Sequence, residues 1–299
     1  MKKIIRIFTI ILMLIFISTG QITAQEIPEE NQVSEEEDKA KDDAEDEEEG
    51  ISEYFSAHKP NYILLYNHYH QSTDHDFPST EAEIKFQLSF KHNIMWLDFG
   101  DLYIAYTQKS FWQTYDEANS RPFRETNYNP ELFFRTADWN GFNFDIGAEH
   151  ESNGQTFVYT SGGDEIDKSR SWNRFYIIPR YKYNFGTSSF FQIEYKLWDR
   201  VNEDPKTDNS DVTGDENPDI RDYYGLSELR TKLKLGDFVL STMARKNFKT
   251  KKGAFEANMS YPIITGLYVN LQFFEGYGES LIDYNNRKTT YGIGLMFTR

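Results

Sequence analysis

The chain has 299 residues and carries 48 acidic against 32 basic side chains, a formal net charge of −16. An acidic chain makes a poor nucleic-acid binder, because phosphate neutralisation needs clustered Lys and Arg. Without cysteine there are no disulfides, thiolate metal sites, cysteine nucleophile or lipid-modified N-terminal cysteine. Only 38% of residues are hydrophobic, yet 20 Tyr and 24 Phe help bring aromatics to 16%, a composition that suits strands with one apolar face.

Met1–Arg6 carries three positive charges, and the following run to Thr19 is almost wholly apolar. Small or polar residues come next, with cleavage expected near Gly20 or Ala24. Residues 1–24 thus have the layout of a secretory signal peptide, the alternative being a retained anchor helix. The segment 25–50 is expected to be disordered: Glu26–Gly50 holds fourteen acidic residues and two lysines, too many like charges to fold alone. It reads as a solvated spacer, with cation buffering or docking to a basic partner as the functional alternative. Ile51–Lys59 reads as one or two amphipathic turns opening the body, residues 51–299, whose net charge is −7.

From Pro60 onward the dominant period is two. Ile84, Phe86, Leu88 and Phe90 alternate with Lys85, Gln87, Ser89 and Lys91, and the same pattern recurs at Phe191–Trp198, Leu229–Leu235, Phe255–Tyr261 and Tyr291–Phe297. Successive strand side chains point to opposite faces, so each segment is apolar on one face and polar on the other. A soluble antiparallel sandwich would bury the apolar faces against each other, whereas a membrane barrel turns them to lipid and its polar faces inward. Three features favour the barrel: the export signal, the aromatic excess, and the charged row Arg170, Arg174, Arg180 and Lys182 on one strand. Twelve strands are expected, beginning near Asn61, Glu81, Leu102, Pro130, Phe142, Ser169, Ser189, Gly225, Phe238, Gly253, Leu267 and Thr289. The fold class is therefore all-β, a transmembrane antiparallel barrel whose even strand count leaves no open edge.

The segment FNFDIGAEHESNG (Phe142–Gly154) is the most informative. Phe142, Phe144, Ile146, Ala148, His150 and Ser152 share one parity, with Asn143, Asp145, Glu149 and Glu151 on the other. If Phe142 and Ile146 face lipid, so do His150 and Ser152, where polar side chains are costly without partners. On the next strand Asn173, Phe175, Ile177 and Pro179 share a parity opposite Arg170, Arg174 and Arg180, so Asn173 faces outward too. These residue types supply a nucleophile (Ser152), a base (His150) and an orienter (Asn173) for acyl transfer. A neutral orienter suits a lipid-facing wall, since a carboxylate there would need its own compensation. Leu102, Ile104, Tyr106, Gln108 and Ser110 also share a parity, which sets the Gln108 amide on the outer face. Two such amides bonding across a two-fold axis would satisfy both; a bulge that shifted the parity would instead turn Gln108 into the lumen. His68, His70 and His75 read as solvated rim residues, and inward Lys, Arg and Glu rows as a polar network filling a narrow lumen. No phosphate loop or nucleotide fingerprint is present.

Several segments resemble the outer-membrane phospholipase A family. They are His150, Ser152, Asn153 and Gly154; SRSWNR (Ser169–Arg174); YTQKSFWQ (Tyr106–Gln113); PFRETNYNPELF (Pro122–Phe133); and EGYGESLIDYN (Glu275–Asn285). The resemblance spans residues 61–299. It implies a twelve-stranded barrel in the bacterial outer membrane whose external site hydrolyses acyl esters of phospholipids and lysophospholipids, dependent on calcium (Ca2+) and on a homodimer with Gln108 at its interface. By position it makes Ser152 the nucleophile, His150 the base and Asn173 the third member, and gives the Gly154 amide to the oxyanion hole. Calcium would be held by the Gln155 carbonyl and Ser169, with Ser120 contributed by the other subunit. The family usually has Arg at position 155, which a backbone-carbonyl ligand tolerates being Gln. The loop from Gln155 to Lys168 is longer than typical, and its SGGDEID run adds acidic oxygen donors. A non-enzymatic barrel (a pore, adhesin or scaffold) and a soluble β-sandwich esterase are the competing readings.

Overall fold

A computed structural model describes residues 55–71, 81–155, 157–159, 165–201, 203–204, 206–207 and 214–298. The leader and the acidic segment, like His75, lie outside the described residues. The strands are β1 (Phe55–Ala57), β2 (Asn61–Gln71), β3 (Ala82–Leu97), β4 (Gly100–Trp112), β5 (Phe123–Thr136) and β6 (Phe142–Ser152). A small pair, β7 (Phe157–Tyr159) and β8 (Glu165–Asp167), stands apart from the main sheet. Then come β9 (Ser171–Asn184), β10 (Phe190–Arg200), the short helix α1 (Ile220–Tyr224) and β11 (Ser227–Leu235). The last four strands are β12 (Phe238–Lys246), β13 (Gly253–Ile264), β14 (Leu267–Tyr277) and β15 (Arg287–Thr298).

Each of the strands β2–β6 and β9–β15 pairs antiparallel with its neighbours, and β15 pairs back onto β2, so twelve staves form a closed barrel. The seam is held at one end by the Asn61 amide N–H and side chain, which both donate to Thr298 Oγ1 at 3.0 and 2.8 Å. Short turns connect the staves at that end, and the long connections gather at the other. No helix among the described residues is long and apolar enough to cross a membrane; the crossing is made by strands.

The period-two pattern sorts side chains as expected. Leu88, Ile146, Phe175, Ile177, Leu229, Phe255, Tyr291 and Ile293 are exposed on the outer wall, while Lys85, Glu131, Asp145, Glu149, Arg174 and Lys196 are buried inside. A charge in a low-dielectric interior survives only when paired, and these are paired. Arg180 donates to Asp145 and Glu194 at 2.8 and 2.6 Å, Arg135 to Asp145 at 2.7 Å, and Lys196 lies 2.6 Å from Glu149. Inside the barrel Phe133, Trp172, Tyr176 and Trp198 form an apolar cluster with Ile220, Tyr224, Leu281 and Tyr284, the last four from the long connections. Between the charged rows a polar cavity of about 330 Å³ remains, lined by Lys109, Asn127, Glu149, Lys196 and Glu228 among others.

Two expectations are corrected. Strand β5 begins at Phe123, not near Pro130, because the strand tolerates that proline in its middle. Pro130 lacks the N–H a ladder needs, and the β5–β6 pairing skips from Tyr128↔Ser152 to Glu131↔Glu149. The neighbouring Asn129 side chain instead donates to the His150 carbonyl at 2.8 Å. Within Ile51–Lys59, Phe55–Ala57 is extended and pairs with β3, so the described part is strand and not helical turn. The chain then dips inward: Lys59 Nζ donates to Glu131 at 2.6 Å, and His58 stacks on Phe133.

Candidate functional site

Strands β6 and β9 run side by side with His150 directly opposite Asn173, and Ser152 opposite Ser171. Their neighbours Glu149, Trp172 and Arg174 are buried in the lumen, so alternation puts His150, Ser152 and Asn173 on the outer wall. His150 Nδ1 and Asn173 Oδ1 are 2.9 Å apart. With the amide oxygen accepting, Nδ1 carries the proton and Nε2 keeps its lone pair. Ser152 is on the same face, one pleat repeat (about 7 Å) beyond His150. Its hydroxyl is not hydrogen-bonded to the imidazole among the described residues, an arrangement common before substrate binds.

The lumen side clamps this pair of strands. Arg174 on β9 lies 3.0 Å from Glu149 and donates to Glu151 at 2.8 Å, both on β6. Trp172 Nε1 donates to the same Glu151 carboxylate at 3.0 Å, and the Arg174 guanidinium sits 3.7 Å from the Trp172 ring centroid. These bonds fix the register that places His150 against Asn173.

Beyond Ser152 the connection is organised by Asn153, which is 2% exposed. Its Oδ1 accepts from the backbone N–H of Gln155 at 3.2 Å and of Arg170 at 2.9 Å, and its Nδ2 donates to the Lys168 carbonyl at 2.8 Å. Asn153 thus ties residues 153–155 to residues 168–170, so Gln155 and Ser169 occupy two arms held together by one side chain. Gly154 has φ +58°, and a Cβ there would meet the Tyr128 ring at 3.0 Å, so both backbone and space favour glycine. Ser120, also left-handed at φ +62°, is exposed on the separate connection between β4 and β5.

A carbonyl and a hydroxyl on tethered arms are the hard oxygen donors that calcium takes. The Gln155 carbonyl and the Ser169 hydroxyl are neutral oxygens of a kind that fits such an ion; among the described residues no three His, Cys, Asp or Glu side chains converge on a metal position. The side chains of the SGGDEID run lie outside the described residues.

Gln108 faces outward, flanked by the inward Thr107 and Lys109, which bond Ser89 and the Glu279 carbonyl inside the barrel. Its Oε1 accepts from Tyr106 Oη and its Nε2 donates to Ser110 Oγ, both at 3.2 Å. The amide is therefore partly satisfied on its own wall, leaving one donor and one acceptor site open. His68 stacks on Tyr66 on the same strand face.

The connection between β14 and β15 closes the same end of the barrel. Within it Asp283 is nearly buried, with Lys288 at 2.6 Å and Arg124 at 2.5 Å. Burial alone would push its carboxyl up, but Lys288 and Arg124 together hold it well below the usual carboxylate range. A carboxyl depressed in the folded state contributes stability above its unfolded value of about 3.9 and loses it as pH falls. The heat-modifiable migration of the barrel in SDS is expected to shift to lower temperature as pH drops below about 4. Asp283→Asn should reproduce the loss at neutral pH, by about 3 kcal/mol, because it leaves Lys288 buried without its anion.

Sequence reasoning missed Glu203, and it named Asn153 and the segment holding Asn129 without reading the bonds they make. Asn173 Nδ2 donates to Glu203 Oε1 at 2.7 Å, and Glu203 comes from a polar connection with no periodicity. The tie made by Asn153 depends on backbone partners, which leave no pattern. Asn129 alone had a signal, in the proline that follows it, which removes a ladder donor at that point.

Comparison with known proteins identifies the family. A family model described as Phospholipase A1 covers residues 37–297. Phospholipase A1 of Klebsiella pneumoniae is 37% identical over 223 residues, 72% of this chain and 70% of that one. The Escherichia coli K12 protein is 38% identical over 223 residues, covering 72% and 69%. Among solved structures, outer membrane phospholipase A from Escherichia coli superposes with a TM-score of 0.67 at 33% identity, over 82% of this chain and 98% of that one. The Salmonella typhi outer membrane phospholipase dimer with bound calcium gives 0.65 at 31% identity, over 82% and 92%. A closed twelve-stranded barrel with an apolar outer wall, together with these relatives, shows that the chain belongs to the phospholipase A1 family, as an enzyme of the outer membrane.

Proposed function

We propose that the enzyme hydrolyses acyl ester bonds of phospholipids and lysophospholipids at its lipid-facing wall, with Ser152 as nucleophile, His150 as general base and Asn173 as orienter. The observation that carries this is the 2.9 Å contact between His150 Nδ1 and Asn173 Oδ1 on the face that also bears Ser152. Ser152 Oγ attacks the ester carbonyl carbon while His150 Nε2 takes its proton, and the imidazolium then protonates the departing glyceryl oxygen. Water, deprotonated by the same nitrogen, releases the fatty acid and restores Ser152. The Gly154 N–H is the candidate donor to the tetrahedral oxyanion.

The Gln155 carbonyl and Ser169 hydroxyl would hold a calcium ion, with Ser120 of a second copy completing the set. When bound, the ion adds positive charge beside the developing oxyanion. The calcium-bound dimer of the Salmonella typhi relative supports this reading. In the dimer the open donor and acceptor of Gln108 meet their counterparts on the other copy, and its bonds to Tyr106 and Ser110 let the monomer persist without them. Activation by association is therefore reversible. Gln108→Ala is expected to leave the monomer folded and to weaken the calcium-dependent dimer about fivefold, roughly 1 kcal/mol, as read by sedimentation in detergent. The main test is fatty-acid release from phospholipid mixed micelles with calcium by the wild type and by Ser152→Ala; equal release would overturn the assignment.

A further inference from the structure

An asparagine can present either its oxygen or its NH2 to a neighbouring imidazole, and the two choices have opposite consequences. If NH2 faces Nδ1, the ring must carry its proton on Nε2 and cannot act as base toward Ser152. Something must therefore dictate how the Asn173 amide is turned.

We propose that Glu203 is the positioning residue that fixes the orientation of Asn173, and through it the tautomer of His150; this rests on the Ser152–His150–Asn173 reading above. Asn173 Nδ2 donates to Glu203 Oε1 at 2.7 Å while Asn173 Oδ1 faces His150 Nδ1 at 2.9 Å. An ionised carboxylate only accepts hydrogen bonds, so the flipped amide would set oxygen against oxygen. One orientation is left, and in it Nδ1 is the donor and Nε2 the base.

The backbone delivers Glu203 to this position. The Val201 N–H donates to the Asn173 carbonyl at 2.8 Å, which locks the exit of β10 onto β9. Arg200 spends its guanidinium on Asp215 Oδ1 at 2.5 Å and the Asn217 carbonyl at 2.9 Å, and its Nη2 stands 3.8 Å from Glu203 Oε2. Asn217 Oδ1 in turn accepts from the Ser171 N–H at 3.2 Å, opposite Ser152 in the register. The far oxygen of Glu203 is thus steadied by a cation while the near one keeps its bond to Asn173. The carboxylate is supplied from the barrel's end by a loop, not from a strand position in the lipid-facing wall. Its negative charge also favours the imidazolium that forms as Ser152 attacks, a contribution a neutral third member cannot make alone.

The experiment uses the full-length refolded barrel with saturating calcium in phospholipid mixed micelles, with folding followed by heat-modifiable migration. Glu203→Gln should lower kcat about tenfold and leave KM unchanged, because glutamine can donate as well as accept and no longer dictates the amide. In an Asn173→Asp background the sign should invert: the new carboxylate has no amide to flip and is repelled by Glu203, so adding Glu203→Gln should raise kcat. If the double variant is too slow for the micelle assay, the rate of Ser152 labelling by a sulfonyl fluoride carries the same comparison. An equal loss in both backgrounds, or no loss with Asn173 present, overturns the proposal and leaves Glu203 as a loop anchor or a bystander. Turnover by Ser152→Ala would instead sink the underlying Ser-His-Asn reading.

Discussion

On the proposed mechanism Ser152→Ala is expected to lower kcat for fatty-acid release by on the order of 10⁵-fold, because the reaction would lose its covalent intermediate and the donor of the proton that His150 would take. His150→Ala should cost about as much, and the double variant little more, since the two residues act as one unit. Asn173→Ala should cost less than either, since it leaves the base in place and removes only its orientation. The structure makes these clean experiments. Both side chains project from the outer wall, and the clamp that fixes β6 against β9 is built on the lumen side from Arg174, Glu149 and Glu151. Neither substitution touches that clamp, so heat-modifiable migration should match the wild type. A sulfonyl fluoride should label the wild type at Ser152 and leave both Ser152→Ala and His150→Ala unlabelled.

Removal of calcium with EDTA should lower kcat by about 10²- to 10³-fold, the usual cost of losing one stabiliser of an oxyanion, with recovery when calcium is restored. The barrel should stay closed throughout. Its integrity comes from the staves and from buried pairs such as Arg180 with Asp145 and Lys196 with Glu149, whereas the candidate oxygen donors sit in connections outside the staves. Activity without calcium equal to that with it would refute the metal assignment while leaving the Ser152 experiments intact. Sedimentation of the same samples separates loss of the dimer from loss of chemistry.

The closed barrel was readable in the sequence because its wall has lipid on one side and charge on the other, so alternation at every stave reports the same physical boundary. The outward parity of His150, Ser152 and Asn173 followed from the same argument; in the structure their alternating neighbours Glu149, Trp172 and Arg174 are buried, and His150 pairs with Asn173. Pro130 misled the placement of β5, since a proline mid-strand reads as a boundary unless a side chain such as Asn129 supplies the missing donor. Glu203 was illegible for a different reason. It occupies a connection with no period, and what makes it matter is a bond across thirty positions of chain to Asn173. Local pattern reports which face a residue takes; it carries no record of which loop folds over that face.

The seam between β2 and β15 governs how the molecule can be made. Neighbouring staves elsewhere join as hairpins or through one connection, yet Asn61 must find Thr298, 237 positions away. Until the last stave emerges, the sheet keeps two open edges whose N–H and C=O groups seek any strand nearby. Closure is thus a late, long-range event of the kind that folds slowly. A nascent chain in transit presents greasy outer faces and unpaired edges together, which is the state most prone to clump. Such a chain calls for a holder in the aqueous compartment before it reaches its membrane, and loss of a few residues from β15 around Thr298 would damage the whole cylinder.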